Sequence, residues 1–347
     1  MVERINITED YSISRVLNGL WQLSTSHSLK QPLDMKDIKT AFYELVERGF
    51  TTFDLADIYT GAEEFLGSFI KELGAHNYLT ADDIQIHTKY VPDKERLKDV
   101  QFEDTEYIID RSLKRLNKDH IDIVQFHWWD YTIPRYVEVA EHLVKLKEKG
   151  KIRHIGVTNF DTYHLKELVD EGIPVVSCQS QYSLFDRRIE KQLLDYCQNK
   201  GISHFCYGTL AGGLLSEKYL NQSSIDPETR SQVKYLQIIE ETLGFANYQK
   251  LLVLLNDIAK EHRISIANVA TKYILNQPGV AATIIGIRNS QHVQSNEQIF
   301  DFDLTKNNIK TIQNFVNNFP ILEGEPYELE RTSDKFQSII RMNENKE

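Results

Sequence analysis

Residues 134–157, PRYVEVAEHLVKLKEKGKIRHIGV, divide at Gly150 into two elements of different period. Pro134 to Lys149 reads as a helix closed by the glycine, and Ile152 to Val157 is a β-branched run of strand length. The same unit recurs on both sides. Asp34 to Arg48 places Ile38, Ala41, Phe42, Leu45 and Val46 on one helical face, ends at Gly49, and leads into Thr51 to Asp54. A helix from Glu63 to Leu73, closed by Gly74, precedes Ile84 to His87, and Thr105 to Leu116 precedes Ile121 to Phe126. Thr162 to Val169 precedes Val175 to Cys178, Glu190 to Asn199 precedes Ser203 to Tyr207, and helices at Tyr248 to Glu261 and Ile266 to Leu275 precede Thr283 to Ile285.

Strands near residues 17, 52, 85, 123, 154, 176, 204 and 284 make eight alternating units. That number predicts a closed (β/α)8 barrel, an α/β TIM barrel, as one domain over 1–347 with its core at about 15–320. A doubly wound sheet is the rival, but no GxGxxG follows the first strand, and Gly208, Gly212 and Gly213 come late with the wrong spacing. Glu3 to Ser14 is expected to form a hairpin plugging the barrel bottom. Ser216 to Phe245 is polar and weakly periodic, a candidate lid or cofactor-clasping loop. Pro320 to Glu347 reads as a tail, 321–347 packing over or beside the barrel mouth through Phe319, Tyr327 and Phe336.

The bulk numbers narrow the function. A formal charge of −11 argues against a nucleic-acid surface, and no segment approaches the length and apolarity of a membrane span. MVERINITEDY lacks an apolar run after its charges, so it does not read as a secretory signal. Cys178, Cys197 and Cys206 are odd in number and lie in apolar contexts, which favours buried thiols in a reduced, cytoplasmic protein.

Four residues at expected strand ends form a chemically coherent set: Asp54 and Tyr59 in FDLADIY, Lys89 in IHTKY, and His127 in IVQFHWWD. A phenol titrates near pH ~10 and needs a neighbouring cation to work near neutrality. Lys89 can supply it, Asp54 can hold Lys89 charged, and His127 can hydrogen-bond a substrate carbonyl oxygen. Singly, each has a plainer reading: a helix cap, rim packing, a solvated charge, a core histidine. In a barrel, all four fall at the C-terminal ends of strands two to four, where such folds carry their sites. Trp21 ends the first strand and Trp128 and Trp129 follow His127, so the three are expected to bound a substrate site for apolar or aromatic carbonyl compounds; Trp129 could instead pack between helices. A metal-using barrel hydrolase lacks a ligand cluster, since His76, His87, His120 and His127 are scattered without HxH or HExxH spacing, and no metal is expected.

FDLADIYTGAEEFLG resembles the aldo-keto reductase signature through Asp54, Tyr59, Glu63 and Gly67. HTKY, GKIRHIGVTNF, CQSQYSLFDR, YGTLAGGLL and IIGIRNSQHVQSN are similar to further segments of that family, in the family's order, from about residue 15 to residue 300. The resemblance implies an enzyme, an oxidoreductase that passes hydride between NADPH and an aldehyde or ketone with Tyr59 as proton donor; NAD(H) stays possible. It also allows a non-catalytic NADP(H)-binding redox-sensing or regulatory subunit, which the intact four-residue set counts against. It implies Asn159 and Gln179 on the nicotinamide carboxamide, Tyr207 stacked on the nicotinamide ring, Leu210, Gly212, Leu214 and Ser216 on the pyrophosphate side, and Arg288, His292 and Asn296 at the adenine end. Three positions depart from the family pattern: His292 stands where many members place a phosphate-binding arginine, Ser295 replaces a glutamate, and Gly208 replaces a serine.

Overall fold

In the structure, a computed structural model, residues 2–24, 27, 33–73, 81–328 and 345 are described. Eight parallel strands close a barrel: β3 (Val16–Gly19), β4 (Thr52–Asp54), β5 (Gln85–Tyr90), β6 (Ile121–Phe126), β7 (Ile152–Thr158), β8 (Val175–Gln181), β9 (Ser203–Tyr207) and β10 (Val280–Gly286), the last pairing back onto β3. Each falls on an expected strand position. β1 (Arg4–Thr8) and β2 (Tyr11–Ser14) form the antiparallel hairpin. It plugs one end of the barrel: Tyr11 and Ile13 pack with Leu17, Ile123, Phe205 and Ala282, and Tyr11 Oη meets His87 Nε2 at 2.9 Å.

The helices follow their apolar stripes. α1 (Met35–Glu47) buries Ile38, Ala41, Phe42, Leu45 and Val46, and Asp34 caps it by accepting from the Lys36 and Asp37 amides. α2 (Ala62–Leu73) and α3 (Phe102–Leu116) cross closely because Gly67 has no side chain; a Cβ there would lie 2.0 Å from the Arg115 carbonyl oxygen. Glu63, one turn earlier, accepts from Thr88 Oγ1 at 2.9 Å and faces Arg115 at 3.5 Å. The glutamate and glycine of the signature are therefore packing residues behind the site. α4 (Tyr136–Glu148) and α5 (Thr162–Asp170) match their expected spans.

Two segments differ from expectation. The helix expected from Glu190 to Asn199 is a short turn at Arg188–Lys191 followed by α6 (Leu193–Lys200). Arg188, fully buried, is bound through two nitrogens to Asp186 and through a third to the Glu325 carbonyl, which holds the chain in a turn before the helix starts. The polar insertion is ordered around α7 (Arg230–Thr242), capped by Thr229 and burying Tyr235, Ile238, Ile239 and Thr242. Its buried face includes the polar Gln232 and Thr242, so its period does not stand out by hydrophobicity. α8 (Phe245–His262) and α9 (Ile266–Leu275) lead to β10, and α10 (Gln291–Gln298) and α11 (Lys306–Val316) follow it. In the tail, Phe319 packs at a tilt on Phe315, while Phe336 lies outside the described residues. Tyr327 packs on Tyr131, donates to the Trp129 carbonyl at 3.2 Å, and so supports the rim beside His127.

Candidate functional site

A cavity of about 600 Å³ opens at the C-terminal ends of the strands. Asp54, Tyr59, Lys89 and His127 all line it. Lys89 Nζ donates to Asp54 Oδ1 at 2.7 Å and to the Leu55 carbonyl at 2.8 Å, and lies 5.2 Å from the Tyr59 ring centre. Burial works to discharge the Lys89 ammonium, but Asp54 and Tyr59 together outweigh it, and its pKa ends above the ordinary lysine value. For Tyr59 burial is the larger influence: despite Lys89, its pKa ends above that of a free phenol. The hydroxyl therefore carries its proton throughout the neutral range.

Asp54 is held from a second side. Gln125 Nε2 donates to its Oδ2 at 2.8 Å and Gln179 Nε2 at 2.6 Å, and Gln179 also donates to Gln125 Oε1. Gln125 is missing from the sequence reading; its signal was an amide facing inward two residues before His127 on the same strand. His127 Nδ1 is 3.0 Å from the Thr158 carbonyl, an acceptor only, so Nδ1 carries hydrogen. The neutral ring then offers Nε2 as an acceptor, and only the imidazolium donates to a carbonyl oxygen through it.

The three tryptophans separate. Trp21 lines the cavity, packs on Tyr59 at 4.7 Å between ring centres, and donates to Ser231 Oγ of α7 at 3.2 Å. Trp129 lines it too, edge-on to His127 at 4.4 Å. Trp128 points the other way: it is wholly buried and its indole nitrogen donates to the Asp130 and Ile133 carbonyls. Alternation past the strand end sends residues 127 and 129 to the mouth and 128 to the helix layer.

Among the residues expected on a cofactor, Asn159, Gln179, Tyr207, Leu210, Gly212, Ser216, Arg288, His292 and Asn296 line the same cavity. Leu214 does not; its side chain is buried in the core and its carbonyl accepts from Tyr248 at 2.6 Å. Tyr207 Oη donates to Asn159 Oδ1 at 2.8 Å, and Lys234 of α7 sits 5.5 Å over the Tyr207 ring. α7 also closes against the glycine loop. Gly208 has a φ of +74°, and a Cβ there would lie 2.3 Å from the Tyr235 hydroxyl, so the serine-to-glycine departure makes room for this helix. His27 Nε2 meets Ser231 Oγ at 2.9 Å; burial, then Arg288 and Arg230, lower its pKa to about 4. Burial and Arg288 lower His292 as well, so the neutral imidazole leaves Arg288 as the fixed cation there. Among the described residues, Asn296 Nδ2 is buried without a hydrogen-bond partner, an orphaned donor suited to an acceptor on a bound dinucleotide.

Behind Tyr59, Asp57 Oδ2 accepts from the Val91 amide at 3.1 Å and from Asn345 at 2.9 Å, while Asp57 Oδ1 and Glu63 Oε2 have no hydrogen-bond partner among the described residues. Burial, then the Glu63 carboxylate, push Asp57 up to about 7. The folded chain thus binds a proton that the unfolded chain releases near pH ~4, and stability falls as pH rises from about 4 to about 7. Asp57→Asn is expected to be more stable than the parent at pH 8 by on the order of 2–4 kcal/mol, with the gap closing below pH ~5, in thermal unfolding at several pH values.

Of the histidines weighed as metal ligands, His87 lies in the barrel interior, His120 beside Asp122, His127 in the site, and His76 outside the described residues. All three cysteines are free and buried. Hydrogen bonding from Cys178 is the main influence bringing Cys197 down to about 6.

The family model for the Aldo/keto reductase family matches residues 15–317. The chain belongs to the aldo/keto reductase family. It is similar to aldo-keto reductase YhdN of Bacillus subtilis, 29% identical across 88% of this chain and 90% of the relative. It is also similar to the uncharacterized oxidoreductase YqkF of the same organism, 31% identical across 88% and 94%. Among solved structures, the thermostable aldo-keto reductase Tm1743, crystallised with the inhibitor epalrestat, superposes with a TM-score of 0.69 at 25% identity, covering 91% of this chain and 100% of that one. The family member described here is an oxidoreductase of carbonyl compounds that works with a nicotinamide cofactor. Among the described residues, no helix is long and apolar enough to cross a membrane.

Proposed function

We propose that this chain is an NADPH-dependent reductase of apolar or aromatic aldehydes and ketones, acting as one domain through Asp54, Tyr59, Lys89 and His127. The supporting observation is that one cavity is lined by this set and by the Arg288, His292 and Asn296 group. The bound cofactor supplies hydride to the carbonyl carbon. Tyr59 holds a phenolic proton that it gives to the carbonyl oxygen as negative charge develops there, and Lys89 stabilises the phenolate left behind. Asp54, Gln125 and Gln179 fix the ammonium. His127, its ring plane set by Thr158, orients the oxygen beside Tyr59 when its Nε2 carries a proton, and Trp21 and Trp129 wall the substrate and exclude water. Asn159, Gln179 and Tyr207 would hold the nicotinamide end, with Leu210, Gly212 and Ser216 on the phosphates. Three unpaired thiols support a cytoplasmic setting.

Preference for the 2′-phosphate of NADP(H) rests on charge. Arg288 supplies a permanent cation, Asn296 an orphaned donor, and Ser295 puts no carboxylate where one would repel phosphate. Titrating the protein with NADPH and NADH separately tests it. Arg288→Gln is expected to weaken NADPH binding by roughly 10- to 100-fold while leaving NADH binding nearly unchanged, whereas equal weakening of both overturns the assignment. A screen of aldehydes and ketones with each reduced cofactor tests the activity itself.

A further inference from the structure

On the outer face of the barrel, away from the cavity, three side chains converge that the reaction does not use. Cys178 of β8 and His204 of β9 are in register on neighbouring strands, so both project toward the helix layer. Cys197 of α6 comes down onto them, and the two sulfurs and an imidazole nitrogen all lie within 4.8 Å of one another. All three residues are fully buried. The imidazole is already oriented: His204 Nε2 is 2.7 Å from Ser180 Oγ, while Nδ1 is buried with no hydrogen-bond partner among the described residues. A metal-bound histidine characteristically donates its second ring N–H to a neighbouring acceptor, a role the Ser180 hydroxyl oxygen can fill, which orients the ring and leaves the other nitrogen to the ion.

We propose that Cys178, Cys197 and His204 form a buried binding site for a soft, thiophilic monovalent metal ion, the cuprous ion. Donor chemistry sets the class, since thiolate and imidazole together favour copper or zinc over hard cations. Donor number then discriminates, because structural zinc almost always takes four ligands and, among the described residues, no fourth histidine, cysteine or carboxylate joins this group. Both thiols become thiolates when they take the ion, so binding releases their protons. Occupancy would tie β8, β9 and α6 together and act on stability rather than on hydride transfer.

The test uses the full chain, reduced and kept under anaerobic conditions, with cuprous ion added to the folded protein and, separately, present during refolding. A chromogenic cuprous chelator competes for the metal. The expected result is one ion per chain retained against the chelator, a higher thermal midpoint, and sulfur and nitrogen neighbours in the X-ray absorption spectrum of the metal. Cys197→Ser and Cys178→Ser are expected to lose the ion by at least 100-fold in affinity while keeping carbonyl reductase turnover, which reports that they fold. Failure of the parent chain to retain copper by either route overturns the proposal. So does equal retention by both serine variants, or tighter binding of zinc than of cuprous ion. If the variants do not fold, the absorption spectrum of the parent decides: a metal without sulfur neighbours overturns the site.

Discussion

Tyr59→Phe is expected to lower the turnover of carbonyl reduction by about 10³-fold while leaving the affinity for reduced cofactor unchanged, as stopped-flow turnover and a separate binding titration would show. The substitution removes one oxygen from a ring whose position is set by Trp21 at 4.7 Å and by the Lys89 ammonium at 5.2 Å, so packing survives. What is lost is the acid. Because burial raises the Tyr59 pKa above that of a free phenol, the parent enzyme is in its proton-donating form at every pH where it is folded and soluble near neutrality. The same shift has the opposite sign for the reverse reaction: alcohol oxidation needs the phenolate, which becomes more populated as pH rises. Oxidation by the parent is therefore expected to climb with pH through pH ~10 without a plateau near neutrality, and reduction to lose rate only on the alkaline side. The pH profiles of kcat in both directions check this. A Tyr59→Phe protein that kept most of its turnover would show that water or another group delivers the proton.

The barrel was legible because its strands are buried on both faces and its helices carry wide apolar stripes, so period alone separated them: Ile152 to Val157 and Ile266 to Leu275 fall where they were expected. The strand-end set was legible for a related reason, since position at the C-terminal end of a strand converts a linear order into one rim. Other residues could not be read that way. Trp128 and Trp129 are neighbours with the same side chain, and which of them faces the mouth depends on alternation continuing past the strand end, in a turn pinned by the Trp128 indole on Asp130 and Ile133. Gln125 is marked only by its inward position two residues before His127; its role exists only because β4, β6 and β8 bring three inward polar groups together. α7 was hidden because its contribution is distributed: Ser231 holds Trp21 and His27, Tyr235 fills the space left by Gly208, and Lys234 covers Tyr207. The Cys178, Cys197 and His204 group is likewise a product of strand register and helix docking, with eighteen and six residues between successive members where a local motif would have two to five.

Lys89→Met carries the second large expectation, and it separates chemistry from stability. Lys89 and Asp54 are both almost fully buried and 2.7 Å apart, so removing the ammonium strands a carboxylate in low dielectric with only the Gln125 and Gln179 amides to solvate it. A loss of about 3–5 kcal/mol in unfolding free energy is expected at pH 7, together with a fall in turnover of roughly 10²- to 10³-fold because the Tyr59 phenolate loses its stabilising cation. The carboxylate is the source of the instability, so the double variant Asp54→Asn, Lys89→Met should recover most of it at neutral pH. Turnover should not return, since the double variant restores no positive charge beside Tyr59. Denaturant unfolding and kinetics on the two single variants and the double variant close the cycle. A double variant that regained activity along with stability would mean that Lys89 acts only by keeping the strand ends folded, and the electrostatic account of Tyr59 would fall.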